Sequence, residues 1–153
     1  MHMPYIIDGH NLIGHLSGIS LSDIDDEQLL LSMLEVYFKG IRKKAIVFFD
    51  QGSLLNSGEF NSAFLEVKFV RFPKTADEAI IEKLKSLKGN AKNFQVVSSD
   101  NWVINNSQKV GAKVISSEIF GRKIIEKNRI AQNKNISNDD NVEYWLNIFE
   151  SDS

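Results

Sequence analysis

The chain has 153 residues, 42% of them hydrophobic and 25% charged, with a formal net charge of −2; that is the size of one ordinary domain, able to bury a core without staples. It contains no cysteine, which excludes disulfides, thiolate catalysis and Cys-type zinc sites and suits a reducing compartment, the cytoplasm being the simplest. No apolar run approaches the ~18 residues of a membrane span, the stretch after Met1-His2-Met3-Pro4 is too short for a secretory signal, and a slightly negative protein must meet any polyanion through a local basic patch.

Short apolar runs alternate with helix-period segments, the pattern of β-α units around a mostly parallel five-stranded sheet, an α/β fold. The first strand is Tyr5 to Ile7, ended by the turn dipeptide Asp8-Gly9. A helix follows over 26–41, with Leu30, Leu34, Tyr37 and Ile41 at three- and four-residue steps and Asp23, Asp25 and Asp26 at its start, where the helix dipole favours anions. Strands are expected at Ala45 to Phe49 and Leu65 to Phe72, separated by a polar loop over 51–61. Thr75 and Glu78 stand at capping-box spacing, with Ala76, Ala79, Ile80, Leu84 and Leu87 as the apolar face of the helix they open. A strand at Phe94 to Val97 leads through Ser98-Ser99-Asp100 into a capped helix reaching Val110, and a last strand spans Lys113 to Ile115. Ser117 or Glu118 opens a helix to Lys127, the Asn/Lys-rich segment 128–141 reads as a loop, and Val142, Trp145, Leu146 and Phe149 mark a closing amphipathic helix.

An aspartate follows each of the first four strands: Asp8, Asp50, Asp77 and Asp100. Right-handed β-α-β crossovers point parallel strands the same way, so their carboxyl ends share the edge where open α/β sheets place ligands. Converging carboxylates repel unless a cation neutralises them, and hard oxygen ligands suit Mg²⁺ or Mn²⁺. Such a metal activates water and neutralises a phosphodiester, which is hydrolytic chemistry. Each acid also has a structural role open to it: a turn at Asp8, a strand end at Asp50, a first helical turn at Asp77 and an N-cap at Asp100.

Ile6-Ile7-Asp8-Gly9-His10-Asn11-Leu12-Ile13 resembles the D-G-x-N opening of NYN domains, a branch of the PIN-like nucleases. Val47-Phe48-Phe49-Asp50-Gln51-Gly52, Lys74-Thr75-Ala76-Asp77-Glu78-Ala79-Ile80 and Val97-Ser98-Ser99-Asp100 resemble the other acidic blocks in the same order, and Val142-Glu143-Tyr144-Trp145-Leu146 resembles the acidic helix that ends the YacP-like group. The resemblance covers roughly residues 5 to 149. It implies a three-layer PIN-like fold in a single domain, Mg²⁺ or Mn²⁺ held by Asp8, Asp50, Asp77 and Asp100, and endonucleolytic cleavage of RNA, mRNA in particular, with the ribosome as a partner for some members. It makes Asn11 a catalytic asparagine that orients a carboxylate or phosphate oxygen, and Ser98 a supporting hydroxyl near the substrate. The sequence departs from the group at His10, where tyrosine is more usual.

Rival readings are weaker or less specific. A haloacid-dehalogenase-type phosphatase needs a second acid where His10 stands, a receiver domain needs a lysine after a late strand, and flap-type DNA nucleases carry more acids and large helical insertions. A non-catalytic RNA- or ribosome-binding module of the same fold is the main alternative. For phosphate contacts the densest cationic run is Arg122, Lys123, Lys127, Arg129 and Lys134, with Glu126 the one acid among them, and with Asn128, Asn133 and Asn135 as neutral donors. Phe60, Phe64 and Trp102 are aromatic candidates for stacking on bases, with core packing as their competing role.

Overall fold

The computed structural model describes residues 3–16, 24–50 and 61–134. Strands β1 (Tyr5–Asp8), β2 (Ala45–Phe49), β3 (Leu65–Phe69), β4 (Gln95–Val97) and β5 (Lys113–Ile115) form a sheet in the order β3-β2-β1-β4-β5. Every neighbouring pair is parallel, with Ile7 opposite both Val47 and Val97, so the sheet is more uniform than the mostly parallel one expected. Helices α1 (Gly9–Gly14), α2 (Ile24–Ile41), α3 (Ala76–Ser86), α4 (Asn101–Lys109) and α5 (Ser117–Lys134) flank it.

Side chains alternate across a pleated strand, so the central strands feed two cores. Ile6, Phe48 and Val96 pack with Ala76, Ile80, Leu84 and Val103 from α3 and α4. Ile7, Val47, Phe49, Val67 and Val97 point the other way, into Leu12, Leu30, Leu34, Phe38, Phe120 and Ile124 from α1, α2 and α5. The result is three layers, and strands covered on both faces account for the nearly continuous apolar runs in the sequence. Phe38, Phe49 and Phe120 are fully buried, each contributing roughly 1.5–3 kcal/mol. Tyr5 and Tyr37 pack their rings against Phe38 and Phe120, and burial raises both hydroxyl pKa values.

Four sequence expectations change. The third strand stops at Phe69, paired with Phe49, rather than running to Phe72. Asp8-Gly9 is not a free turn, since α1 begins at Gly9, and a 3₁₀ turn over Lys88–Asn93 was not foreseen. The Asn/Lys-rich loop is helical as far as Lys134. Its first residue, Asn128, is buried and donates its amide to Met33 O (3.1 Å) and Ile124 O (2.7 Å), tying α5 to α2, so it is not a donor for RNA. A polar side chain read as loop composition is here a buried strut between helices. The loop over 51–60, with Phe60, and the expected closing helix over 142–149 lie outside the described residues.

Candidate active site at the carboxyl edge

The strand order reverses beside β1: β2 and β3 lie to one side, β4 and β5 to the other. Crevices of doubly wound sheets form at the carboxyl ends of strands at such a switch point. Asp8 ends β1, Asp50 follows β2, Asp77 sits in the first turn of α3 and Asp100 caps α4. All four share one electrostatic neighbourhood. Asp8 is 5% exposed, and its carboxyl is pushed up to about 7, first by burial, then by the Asp77 charge, with Asp50 and Asp100 adding to the effect. The backbone N–H of Asn11 pulls it the other way, without completing a helix-capping hydrogen bond. The Asp77 carboxyl is also raised, by burial first and then by Asp100 and Asp50, while its hydrogen bond with Asp8 opposes the shift.

Local sequence explains how each acid is held. Thr75 accepts the Glu78 N–H at 3.2 Å and Glu78 accepts the Thr75 N–H at 3.1 Å, a closed capping box that sets the entry of α3 and hence the position of Asp77. Asp100 accepts the Trp102 and Val103 N–H groups at 2.9 and 3.1 Å, and its own N–H donates to Ser98 Oγ at 3.1 Å. Ser98 is fully buried, so its hydroxyl meets the Asp100 backbone and is closed off from bound substrate. Gly9 is required by space: a Cβ there would lie 2.4 Å from the Phe49 ring.

Asn11 brackets three elements. Its Oδ1 accepts the Ser99 N–H (2.9 Å) and the Ser117 hydroxyl (2.7 Å), linking α1 to the β4–α4 connection and to the start of α5. Ser99 Oγ accepts the Ser117 N–H at 2.9 Å and donates to Glu118 at 3.0 Å. The oxygen expected to orient a ligand is therefore spent on holding the loop that carries Asp100. Across the site His10 lies between two carboxylates, with Nδ1 3.0 Å from Asp50 Oδ1 and Nε2 2.6 Å from Glu27 Oε2.

The cationic run lies along α5. Because α5 is continuous, Arg129 lies about 18 Å along the axis from Ser117 at 1.5 Å per residue, and it pairs with Glu126 at 3.8 Å. Arg122 and Lys123 are exposed and nearer the helix start; Lys134 closes the helix at its far end. Nearer the site, exposed Arg71 and Lys74 follow β3, Lys74 pairing with Glu82 at 2.7 Å. Phe72 between them is 75% exposed, and Trp102, next to Asp100, is 47% exposed rather than core. Phe64 packs against the core as its competing role required. Sequence reasoning missed Glu27, Arg71, Phe72 and Lys74. The signal for Glu27 was available: it extends the apolar stripe of Leu30, Leu34, Tyr37 and Ile41 by one step, and a carboxylate in a core register calls for a partner.

Carboxylates are hard oxygen donors, and their mutual repulsion is relieved by a divalent cation, so the donor set fits Mg²⁺ or Mn²⁺. Among the described residues, no group of three or more His, Cys, Asp or Glu side chains is arranged so that it could hold a metal ion as it stands. No helix among them is long and apolar enough to cross a membrane.

Comparison with known proteins agrees with this architecture. Crystal structures of Rae1 (YacP) from Bacillus subtilis superpose with a TM-score of 0.68, at 23% identity, over 95% of this chain and 91% of that one. A tryptophan-to-leucine variant of the same protein gives 0.69 at 23%, over 97% and 92%. No curated protein matches the chain in sequence. The model of the YacP-like NYN domain matches residues 5–149, which takes in all four acidic strand ends and the whole described sheet, and the chain therefore belongs to the YacP-like NYN domain family, with its PIN-like, nuclease-type fold.

Proposed function

We propose that this protein is a metal-dependent endoribonuclease, working as a single domain in the cytoplasm and hydrolysing phosphodiester bonds of RNA, mRNA at the ribosome included. The observation that carries the reading is the convergence of Asp8, Asp50, Asp77 and Asp100, with Asp8 pushed up to about 7 by burial and its acidic neighbours. A buried carboxylate among like charges is costly unless a cation compensates, and carboxyls perturbed in this way cluster at functional sites. Buried Asp8 and half-buried Asp77 would hold Mg²⁺ or Mn²⁺, with Asp50 and Asp100 completing the set. Bound there, the metal would supply a polarised phosphoryl oxygen and an activated water.

The remaining residues position and bind. Ser98 and the first turn of α4 hold Asp100, and Asn11 holds the connection that carries it. Arg71 and Lys74 offer phosphate contacts beside the site, Arg122 and Lys123 on α5 offer further ones, and Arg129 extends that basic face away from the acids. Exposed Phe72 and Trp102 offer stacking faces for unpaired bases, which favours single-stranded RNA over duplex.

The deciding experiment is cleavage of varied RNAs by purified protein, alone and with translating ribosomes, in Mg²⁺ or Mn²⁺ and again with excess EDTA. Cleavage should require the metal and fall at least ~100-fold in Asp8→Asn, equivalent to about 2.7 kcal/mol of barrier. RNA or ribosome binding with no turnover under any of these conditions would establish the non-catalytic binding module instead.

A further inference from the structure

Among the described residues the buried carboxylates are Asp8 and Glu27, at 5% and 4% exposure. Asp8 belongs to the acid cluster. Glu27 lies on α2, outside the four strand ends, on the stripe that otherwise buries Leu30 and Leu34. A carboxylate in such a place is retained only with a strong hydrogen-bond partner. His10 supplies one at 2.6 Å, the shortest separation around the site.

The second nitrogen of the same ring is 3.0 Å from Asp50. Among the described residues, His10 is the side chain that holds Asp50. The Asp50 side chain is 43% exposed, whereas Asp100 is held by two backbone N–H groups and Asp77 by the register of a capped helix. An exposed aspartate samples several rotamers, and closing it on a metal costs that freedom. The His10 ring is itself confined, with its centroid 5.0 Å from that of Phe49 and its far nitrogen on Glu27. Buried carboxylate, ring and exposed carboxylate thus form a line from the core of α2 to the sheet edge.

Resting on the metal-site reading above, we propose that Glu27 and His10 are positioning residues: Glu27 fixes the His10 ring, and His10 fixes the Asp50 carboxylate in the orientation that receives the divalent cation. Outer partners of metal-binding carboxylates commonly change metal affinity by 10–100-fold when removed. A pair that merely fastened α1 to α2 would alter melting temperature and leave metal affinity untouched.

The test is a Mn²⁺ titration of the full-length protein, followed by the EPR signal of free Mn²⁺, beside thermal melts of each variant. Asp50→Asn should weaken binding most. Glu27→Gln and His10→Ala should each weaken it about tenfold or more, and the double variant should be no weaker than the worse single one, because the two act in series. His10→Gln, which keeps a donor toward Asp50, should recover part of the loss. Wild-type affinity in Glu27→Gln and His10→Ala, alongside loss in Asp50→Asn, would overturn the positioning role while leaving the metal site standing. Additive losses in the double variant would also overturn it. Should Glu27→Gln fail to fold, the comparison of His10→Ala with His10→Gln decides alone, and equal wild-type affinity in both overturns the proposal. Absence of Mn²⁺ binding by the wild-type protein would remove the metal site and this inference together.

Discussion

Asp8 and Asp77 stand against Asp50 and Asp100 as two differently built halves of one acidic edge. The first pair shares a hydrogen bond, and both of its carboxyls are raised, by burial first. The second pair is supplied with hydrogen-bond partners: the His10 ring for Asp50, the Trp102 and Val103 N–H groups for Asp100. A carboxylate fed by N–H groups keeps its charge at little cost, whereas one buried among like charges keeps it only beside a cation. The site therefore combines an anchored half, preset by ordinary capping and side-chain hydrogen bonds, with a half that stores the repulsion a metal would relieve.

The largest expected effect breaks that comparison at Asp8. In EDTA its carboxyl has a folded pKa of about 7 against an ordinary value of 3.8. Below pH ~4 both folded and unfolded chains carry the proton and this group changes nothing. Between the two values the unfolded chain ionises first and binds fewer protons, so stability falls as pH rises, and the full loss is reached above pH ~7. At about 1.4 kcal/mol per pH unit the loss is on the order of 4 kcal/mol. Asp8→Asn should match wild type at pH 4 and melt higher at pH 7.5, with Mg²⁺ closing the gap through binding to the native state. Equal melting of the two proteins across that range would show that Asp8 carries no stored repulsion.

A smaller effect tests the packing beneath the same half. Gly9→Ala places a methyl group 2.4 Å from the Phe49 ring, and overpacking of this kind costs about 1–3 kcal/mol. Denaturant melts should show that loss, while Asn11→Ala should perturb the Asp100 side more than Asp8.

For the anchored half the expected change is near 1 kcal/mol. Asp100→Ala removes the α4 cap and should lower stability by that amount, whereas Asp100→Asn keeps a side chain that caps as well as Asp and should leave stability nearly unchanged. Both should lower cleavage. Equal stability of the Ala and Asn variants would mean that capping contributes nothing at Asp100. The smallest effect concerns RNA. Arg71→Ala and Lys74→Ala should each reduce the salt dependence of binding by about 0.7 in log-log slope, and Arg129→Ala, paired with Glu126 and far along α5, should reduce it less. The reverse ranking would move the RNA path onto α5.

Much of this was legible before any tertiary contact was known. Strand and helix periods gave β2 and β5 residue for residue and the capping box at Thr75, because these depend on residues within one turn or one strand. One aspartate after each of four strands is a local pattern as well, and parallel crossovers oblige such positions to share an edge. Tertiary structure decided what composition could not. It made Asn128 a buried strut instead of a loop residue, turned the cationic run into a helix face, left Phe72 and Trp102 exposed, and committed Asn11 to Ser99 and Ser117, 88 and 106 positions away. Above all it brought His10 between Glu27 and Asp50, residues 17 and 40 positions distant. The physical reason is the range of the forces involved. Backbone periodicity and capping are settled by near neighbours, whereas the charge state of a carboxylate and the partner of a buried polar atom depend on whichever groups the fold delivers to within a few ångströms.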